Sequence, residues 1–345
     1  MSGVEHRVVG SDEPEQRLDR WFRKHFPHVA QGRIERMCRK GEIRVDGGRV
    51  KAATRITPGQ VVRVPPLPPA DAAPPPPPET LPEPDRDAAR EIRDAVLFQD
   101  DDIIVLNKPP GLAVQGGTRQ RTHLGALLPA LRFGRVDDPR LIHRLDKDTS
   151  GLLVLARTAV AASKLGALFR SRDVERIYLA AVAGRPEPQA GTIRYGLVKS
   201  GGAGHERVHT IHPDEVAVTE GARAAITDYS VIEQAGTRLA AVALRPITGR
   251  THQLRAHMAA LGCPIAGDGK YGGRGQENLG EGWGAGLGGA LSRKLHLHAA
   301  RLQFNHPRTG RPMRFDAPLP EHMLRTWELM GWPVELPAGP FPPPR

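Results

Sequence analysis

Apolar positions change their period along the chain, and the changes divide it. Leu18, Trp21, Phe22 and Phe26 recur at i, i+3, i+4 and i+8, the spacing of one helical face. Arg17, Arg20 and Lys24 fall mainly on the other side, and Pro27 ends the helix. A second helix is expected over Gln31–Arg39, with Ile34, Met37 and Cys38 turned inward and Gly41 as its stop. Ile43, Val45 and Val50 then alternate around Asp46-Gly47-Gly48, a hairpin signal, and "QVVRV" after Pro58-Gly59 reads as a further strand. Trp21, Phe22 and Phe26 fit a miniature core better than a platform for stacking bases.

Residues 65–84 hold 11 prolines in 20 positions, a composition that forms no core and makes a stiff, extended spacer. Beyond about residue 93 the pattern turns globular. "SGLLVLART" is a buried strand, "AASKLGALFRSRDV" a helix with Leu165, Leu168 and Phe169 on one face, and "ERIYLAAVAG" another strand. Further strands are expected near 223–233 and 238–245, a helix in "THQLRAHMAALG" closed by Gly262, and a strand in "LHLHAARLQFNHP". Helices are too few and too irregular for alternating βα units. The expected fold is therefore α+β: a mixed, largely antiparallel sheet with flanking helices, plus a small N-terminal α/β unit. The expected division is 15–65, a linker over 66–90, a globular domain over 91–325 and a Pro-rich tail over 326–345.

Charge sharpens this division. The net charge is +11, and residues 15–64 carry thirteen Lys or Arg against five Asp or Glu. Such a balance attracts polyanions. Arg33, Arg36, Arg39 and Lys40 fall on the outer face of the second helix, and their density points to phosphate contact. Cys38 and Cys263 are the two cysteines, so neither a disulfide framework nor a thiolate metal site is implied. The glycine-dense run 272–289 lacks the Lys-Ser or Lys-Thr ending of a phosphate loop and reads as a surface insertion. His296 and His298, on one strand face, read as structural or RNA-facing rather than as metal ligands. No signal peptide and no run of about 18 apolar residues is present, so a soluble cytoplasmic protein is expected.

The chemistry concentrates in "LIHRLDKDTSGLLVLART", residues 141–158. Arg144 and Asp146 stand two apart before a buried strand, and in extended backbone they point the same way. A carboxylate beside an arginine stays ionised, as a nucleophile must. An ordinary loop salt bridge fits the same spacing.

"HRLDKDTSG" at 143–151 resembles the central motif of the pseudouridine synthases that act mainly on large-subunit ribosomal RNA. "VLNKPPGLAVQGG" at 105–117, "RIYLAAV" at 176–182 and "LRPITGRTHQLRAHMAALGCPIAGDGKYG" at 244–272 resemble further blocks of that family, in order. Residues 15–65 separately resemble a small RNA-binding module shared with a ribosomal protein. The resemblance implies that uridines of large-subunit (23S) ribosomal RNA are isomerised to pseudouridine. Asp146 would be the nucleophile, Arg144 would help extrude the nucleotide, Tyr178 would stack on the base, and Arg250 would pair with Asp146. Lys108, in the first block, would be structural or phosphate-facing, and is counted with Arg33, Arg36, Arg39 and Lys40 as a candidate RNA-binding residue. No cofactor, metal or nucleotide is implied, and family habit suggests a monomer. "LAVQGG" leans toward the subgroup that modifies several dispersed uridines. The competing readings are the same chemistry on tRNA, or a non-catalytic RNA-binding protein of ribosome assembly.

Overall fold

The structure is a computed structural model that describes residues 3–11, 13–67, 86–116, 122–200, 207–272 and 291–341. Most of the proline-rich spacer, and the glycine-dense run beyond Gly272, lie outside the described residues. The chain divides into two units, Met1–Pro82 and Glu83–Arg345.

In the first unit, helices Leu18–His25 and Gln31–Lys40 bury Leu18, Trp21, Phe22, Ile34, Met37 and Cys38 against Ile43, Ile56, Val62 and Val64. The aromatic residues are thus the core expected of them. Gly41 closes the second helix at φ 71°, and its N–H donates to the Cys38 carbonyl. Asp46 and Gly47, at φ 48° and 77°, form the tight hairpin turn between Arg44–Val45 and Gly48–Arg49. A strand at Glu5–Val8, ahead of the expected start at residue 15, pairs antiparallel with Val61–Val64. Four mostly exposed residues give too short an alternation to be read in advance.

The second unit is built on an 11-stranded sheet. Across it run 207–211, 190–200, 223–235, 239–246, 175–183, 297–305, 150–156, 103–108 and 96–99, with two further strands paired off this path. Neighbours are antiparallel except Ser150–Gly151 beside His298–Ala299, so the sheet is mixed and largely antiparallel. Alternate side chains feed two cores. Tyr178, Ala180 and Val182 face a core shared with Ile92, Leu124, Leu165 and Met258 of four helices. Leu179 and Ala181 face Met323 and Trp327 of helix Glu321–Met330. Ser150–Ala156 is buried throughout, which is why it reads as an unbroken apolar run.

Both ends of this unit differ from the expected boundaries. Helix Arg86–Asp94 begins inside the segment taken as linker and sends Ala89 and Ile92 into the core. At the other end, the helix runs to Met330, and buried Arg301 donates to the carbonyls of Leu336, Pro337 and Ala338. His296 and His298 are fully buried in this framework. The first hydrogen-bonds Thr326 and the second Ser150, and burial pushes both imidazoles down to about 4. They are structural, not RNA-facing. Among the described residues no helix is long and apolar enough to cross a membrane.

Candidate active site

Asp146 lies in the extended loop that enters strand Ser150–Ala156. Leu145 before it and Thr149 after it are buried, and the Thr149 N–H donates to the Asp146 carbonyl. Gly151 fixes where the loop ends. Its φ is +107°, and a Cβ there would lie 2.3 Å from the Ala299 carbonyl oxygen, so only glycine admits this approach of two strands.

The loop is held from below by Lys108. Its side chain is fully buried, and Nζ donates to the carbonyls of Pro109, Leu112 and Lys147. The Gly111 N–H also donates to the Lys147 carbonyl. An ammonium has three donors, and all three are used. Burial pushes it down to about 7, against the pull of Asp148 and Asp146. Lys108 is therefore not an RNA-binding residue. It braces the turn beside Asp146, and the structural side of its expected role is the one realised.

Asp146 opens into a cleft of about 480 Å³, within the ~300–1,000 Å³ common for small-ligand sites. Arg144, Tyr178 and Arg250 line the same cleft, so the four residues singled out in the sequence are brought together. Arg144 is exposed, while Tyr178 is buried and follows a strand irregularity between Ile177 and Tyr178. Such a bulge re-aims a side chain. Burial raises the Tyr178 phenol above its ordinary value, Arg176 opposing and Asp146 adding to it, so the hydroxyl keeps its proton at neutral pH. Asp146 is the one acid among the lining residues, against six arginines: 144, 170, 172, 176, 250 and 255. A cleft of that sign draws phosphates.

The partner of Asp146 is not Arg250. Oδ2 of Asp146 lies 3.6 Å from Arg255 Nη1 and 3.8 Å from His252 Nε2. Arg250 instead donates through Nε to the Ala224 carbonyl, 3.3 Å away. The cause is local. The Gln253 side chain accepts the Arg250 N–H and the Thr248 hydroxyl and donates to the Ile226 carbonyl, tying this turn to strand 223–235. His252 then reverses the chain at φ 53° and starts helix Gln253–Ala260. Arg255, in its first turn, faces Asp146 while Arg250 stays on the turn outside. Asp268 grips Arg255 with two hydrogen bonds of 2.7 Å. Burial opposes charge on Arg255, but Asp268, and then Asp146, leave its guanidinium above the ordinary value.

Sequence reasoning also missed His252, Arg170, Arg172 and His143. His143 accepts the Val154 N–H through Nε2 and stacks on Phe169 at 4.3 Å. Burial, then Arg176, pushes it down to about 3, so it shapes the wall as a neutral ring. The signal for Arg255 was the second arginine of "GRTHQLRAH", one turn into a helix that the sequence had already suggested. Among the described residues, Asp100, Asp102 and His306 bring ligand atoms within 4.8 Å of one another. His306 already hydrogen-bonds Asp100, Arg308 pairs with Asp102, and the cluster does not line the cleft. In the first unit, Arg33, Arg36, Arg39 and Lys40 are all exposed on one helix, with Lys40 3.9 Å from Glu42.

Residues 102–260 match the family model described as RNA pseudouridylate synthase. The chain is 35% identical over 319 residues to the Ribosomal large subunit pseudouridine synthase C of Vibrio vulnificus, covering 91% of this chain and 93% of that one. It is 36% identical to the protein of the same name from Yersinia pestis, covering 92% of each. A solved human structure, RNA Pseudouridylate Synthase Domain Containing 4, aligns with TM-score 0.59 and 29% identity over 72% of this chain and 97% of that one.

Proposed function

Because the chain belongs to the RNA pseudouridylate synthase family, we propose that it converts specific uridines of large-subunit (23S) ribosomal RNA to pseudouridine, with Asp146 as the nucleophile. One observation carries the site assignment: a single carboxylate stands among six arginines, with one of its oxygens turned to two cationic or N–H partners. In the reaction the bond from uracil N1 to C1′ breaks and a bond from C5 to C1′ forms. C5 loses a proton and N1 gains one. No electrons are exchanged, so the balance closes without a redox partner. A carboxylate can trap the sugar or the base while the base turns.

The target must leave its stack, at a cost of a few kcal/mol that favours loops and weak helices. Arg144, exposed at the cleft, suits extrusion and backbone contact, and Tyr178 suits stacking on the base. Arg255, rather than Arg250, takes the role of holding Asp146. Arg250, Arg170 and Arg172 are left to meet phosphates. The first unit would hold ribosomal RNA through Arg33, Arg36, Arg39 and Lys40, and the spacer would let the two units touch separate places on one RNA. Described residues of one chain line the cleft, which suits action as a monomer, and a ribosomal RNA substrate puts that action in the cytoplasm. The "LAVQGG" segment favours several dispersed uridines over a single loop.

The test is chemical mapping of pseudouridine across ribosomal and transfer RNA in a gene-deleted strain carrying wild-type or Asp146→Asn protein. Loss of particular large-subunit positions, restored by wild type alone, is the expected result. Restoration by Asp146→Asn would refute the nucleophile. Loss confined to tRNA would move the substrate.

A further inference from the structure

His252 is a poor choice for its backbone and a good one for its ring. It sits at φ 53°, a left-handed conformation that a side chain rarely adopts, and its ring is almost wholly enclosed. Nδ1 lies 2.9 Å from the Tyr271 hydroxyl, and that hydroxyl already accepts the Val208 N–H at 3.0 Å. With the Val208 N–H already accepted and no other acceptor for its proton among the described residues, the phenol is placed to donate to Nδ1. A neutral imidazole that accepts at Nδ1 carries its proton on Nε2. Nε2 faces Asp146 Oδ2 at 3.8 Å, the same oxygen that Arg255 approaches at 3.6 Å. Among the described residues nothing bonds to Asp146 Oδ1.

The two anchors share one support. Asp268 holds the Arg255 guanidinium, and it also accepts the backbone N–H of Tyr271 at 3.1 Å. The Arg255 guanidinium lies 5.2 Å from the centre of the Tyr271 ring. Burial holds the His252 imidazole below its ordinary value. Asp146 and Asp268 pull it up, and Arg255 and Lys270 push it down.

We propose that His252 is a positioning residue: Tyr271 fixes it as the Nε2–H tautomer, and with Arg255 it anchors one oxygen of Asp146 so that the other faces the nucleotide. This rests on the reading of Asp146 as the reacting carboxylate. Contacts of 3.6–3.8 Å are of the kind that tighten when substrate closes the site. The Tyr271 hydroxyl then acts at two removes from the reaction, through the tautomer, while the ring beside Arg255 is kept in Tyr271→Phe.

The experiment combines nitrogen-15 spectra of unliganded full-length protein with turnover on large-subunit ribosomal RNA. Wild type is expected to show His252 protonated at Nε2. Tyr271→Phe should shift part of the population to Nδ1–H and lower kcat on the order of 10- to 100-fold with KM unchanged. His252→Gln, which can return an N–H near the place of Nε2, should retain more kcat than His252→Ala. An Nδ1–H tautomer in wild type would overturn the inference. So would Tyr271→Phe with unaltered tautomer and kcat, or His252→Gln no better than His252→Ala. Absence of pseudouridine formation by wild type on any RNA would instead overturn the functional reading beneath it, and the wild-type spectrum would still decide the tautomer.

Discussion

Glu13 and Asp146 are both carboxylates ringed by cations, and their surroundings leave them opposite freedoms. Each oxygen of Glu13 takes two donors: Lys24 and His25 at Oε1, Trp21 Nε1 and the Gly10 N–H at Oε2. The group is buried and saturated, and it ties the first helix of the small unit to the chain before it. Asp146, which lines a cleft, has its two partners on one oxygen, both at the long end of ion pairing, and among the described residues the other oxygen has no hydrogen-bond partner. Saturation makes a strut. Anchoring on one side only makes a reagent, because a carboxylate whose lone pairs on both oxygens are all engaged by hydrogen bonds cannot also attack a substrate.

Removing charge from the reagent should have the largest effect. Asp146→Asn is expected to lower turnover by more than about 10³-fold, with RNA affinity retained in a filter-binding titration. Near-normal turnover would place the reaction elsewhere. Next comes the choice between two arginines. Arg255→Lys keeps the charge but loses the fork that joins Asp268 to Asp146, and kcat should fall roughly 10- to 100-fold. Arg250→Lys should leave kcat within a few-fold and act mainly on KM. Steady-state kinetics that reversed this order would return the pairing to Arg250.

That choice marks where legibility ended. The aromatic core of the small unit could be read because it depends on local spacing, apolar residues one helical turn apart. Asp146 and Tyr178 were singled out by the family motifs they resemble, since the spacing of Arg144 and Asp146 fits an ordinary loop salt bridge equally well. The partner of Asp146 depends on where a helix starts in a segment far along the chain. That start is set by the Gln253 side chain and the left-handed turn at His252. Neither leaves a periodic trace. For Lys108 the sequence left a structural and a phosphate-facing role open for a related reason: Pro109 and Leu112 lie close along the chain, but the third carbonyl comes from Lys147, 39 residues on. The sheet was legible as mixed and largely antiparallel, since its strands were strong and its helices sparse. Its order across the sheet was not, because Ser150–Gly151 pairs with residues near 298.

A smaller effect is expected from the basic helix of the first unit. Replacing Arg33, Arg36, Arg39 and Lys40 with Gln removes four exposed cations and leaves the cleft untouched. KM for ribosomal RNA should rise and kcat should hold. The slope of log affinity against log salt should flatten by roughly 0.7–0.9 for each phosphate that is no longer neutralised. An unchanged slope would remove this helix from the RNA interface.

The smallest effect on turnover is expected at Glu13, and it tests the comparison from its other side. The Lys24 ammonium above all, with His25, Trp21 and the Gly10 amide, holds this carboxyl at about 2 against an ordinary 4.5, although burial pushes the other way. The unfolded chain therefore takes up the proton first as pH falls. The stability that Glu13 contributes is whole above about 4.5 and drains toward about 2. Hydrogen exchange at the amides of Leu18–His25 and Gln31–Lys40, corrected for intrinsic rates, should report weaker protection across that window in wild type. In Glu13→Gln this pH dependence should be lost and the protection lower at neutral pH. Because a strut carries no chemistry, kcat at neutral pH should match wild type. If Glu13→Gln instead cut kcat as deeply as Asp146→Asn, the two carboxylates would not be separable into support and reagent, and the small unit would have to be part of the reaction rather than of its targeting.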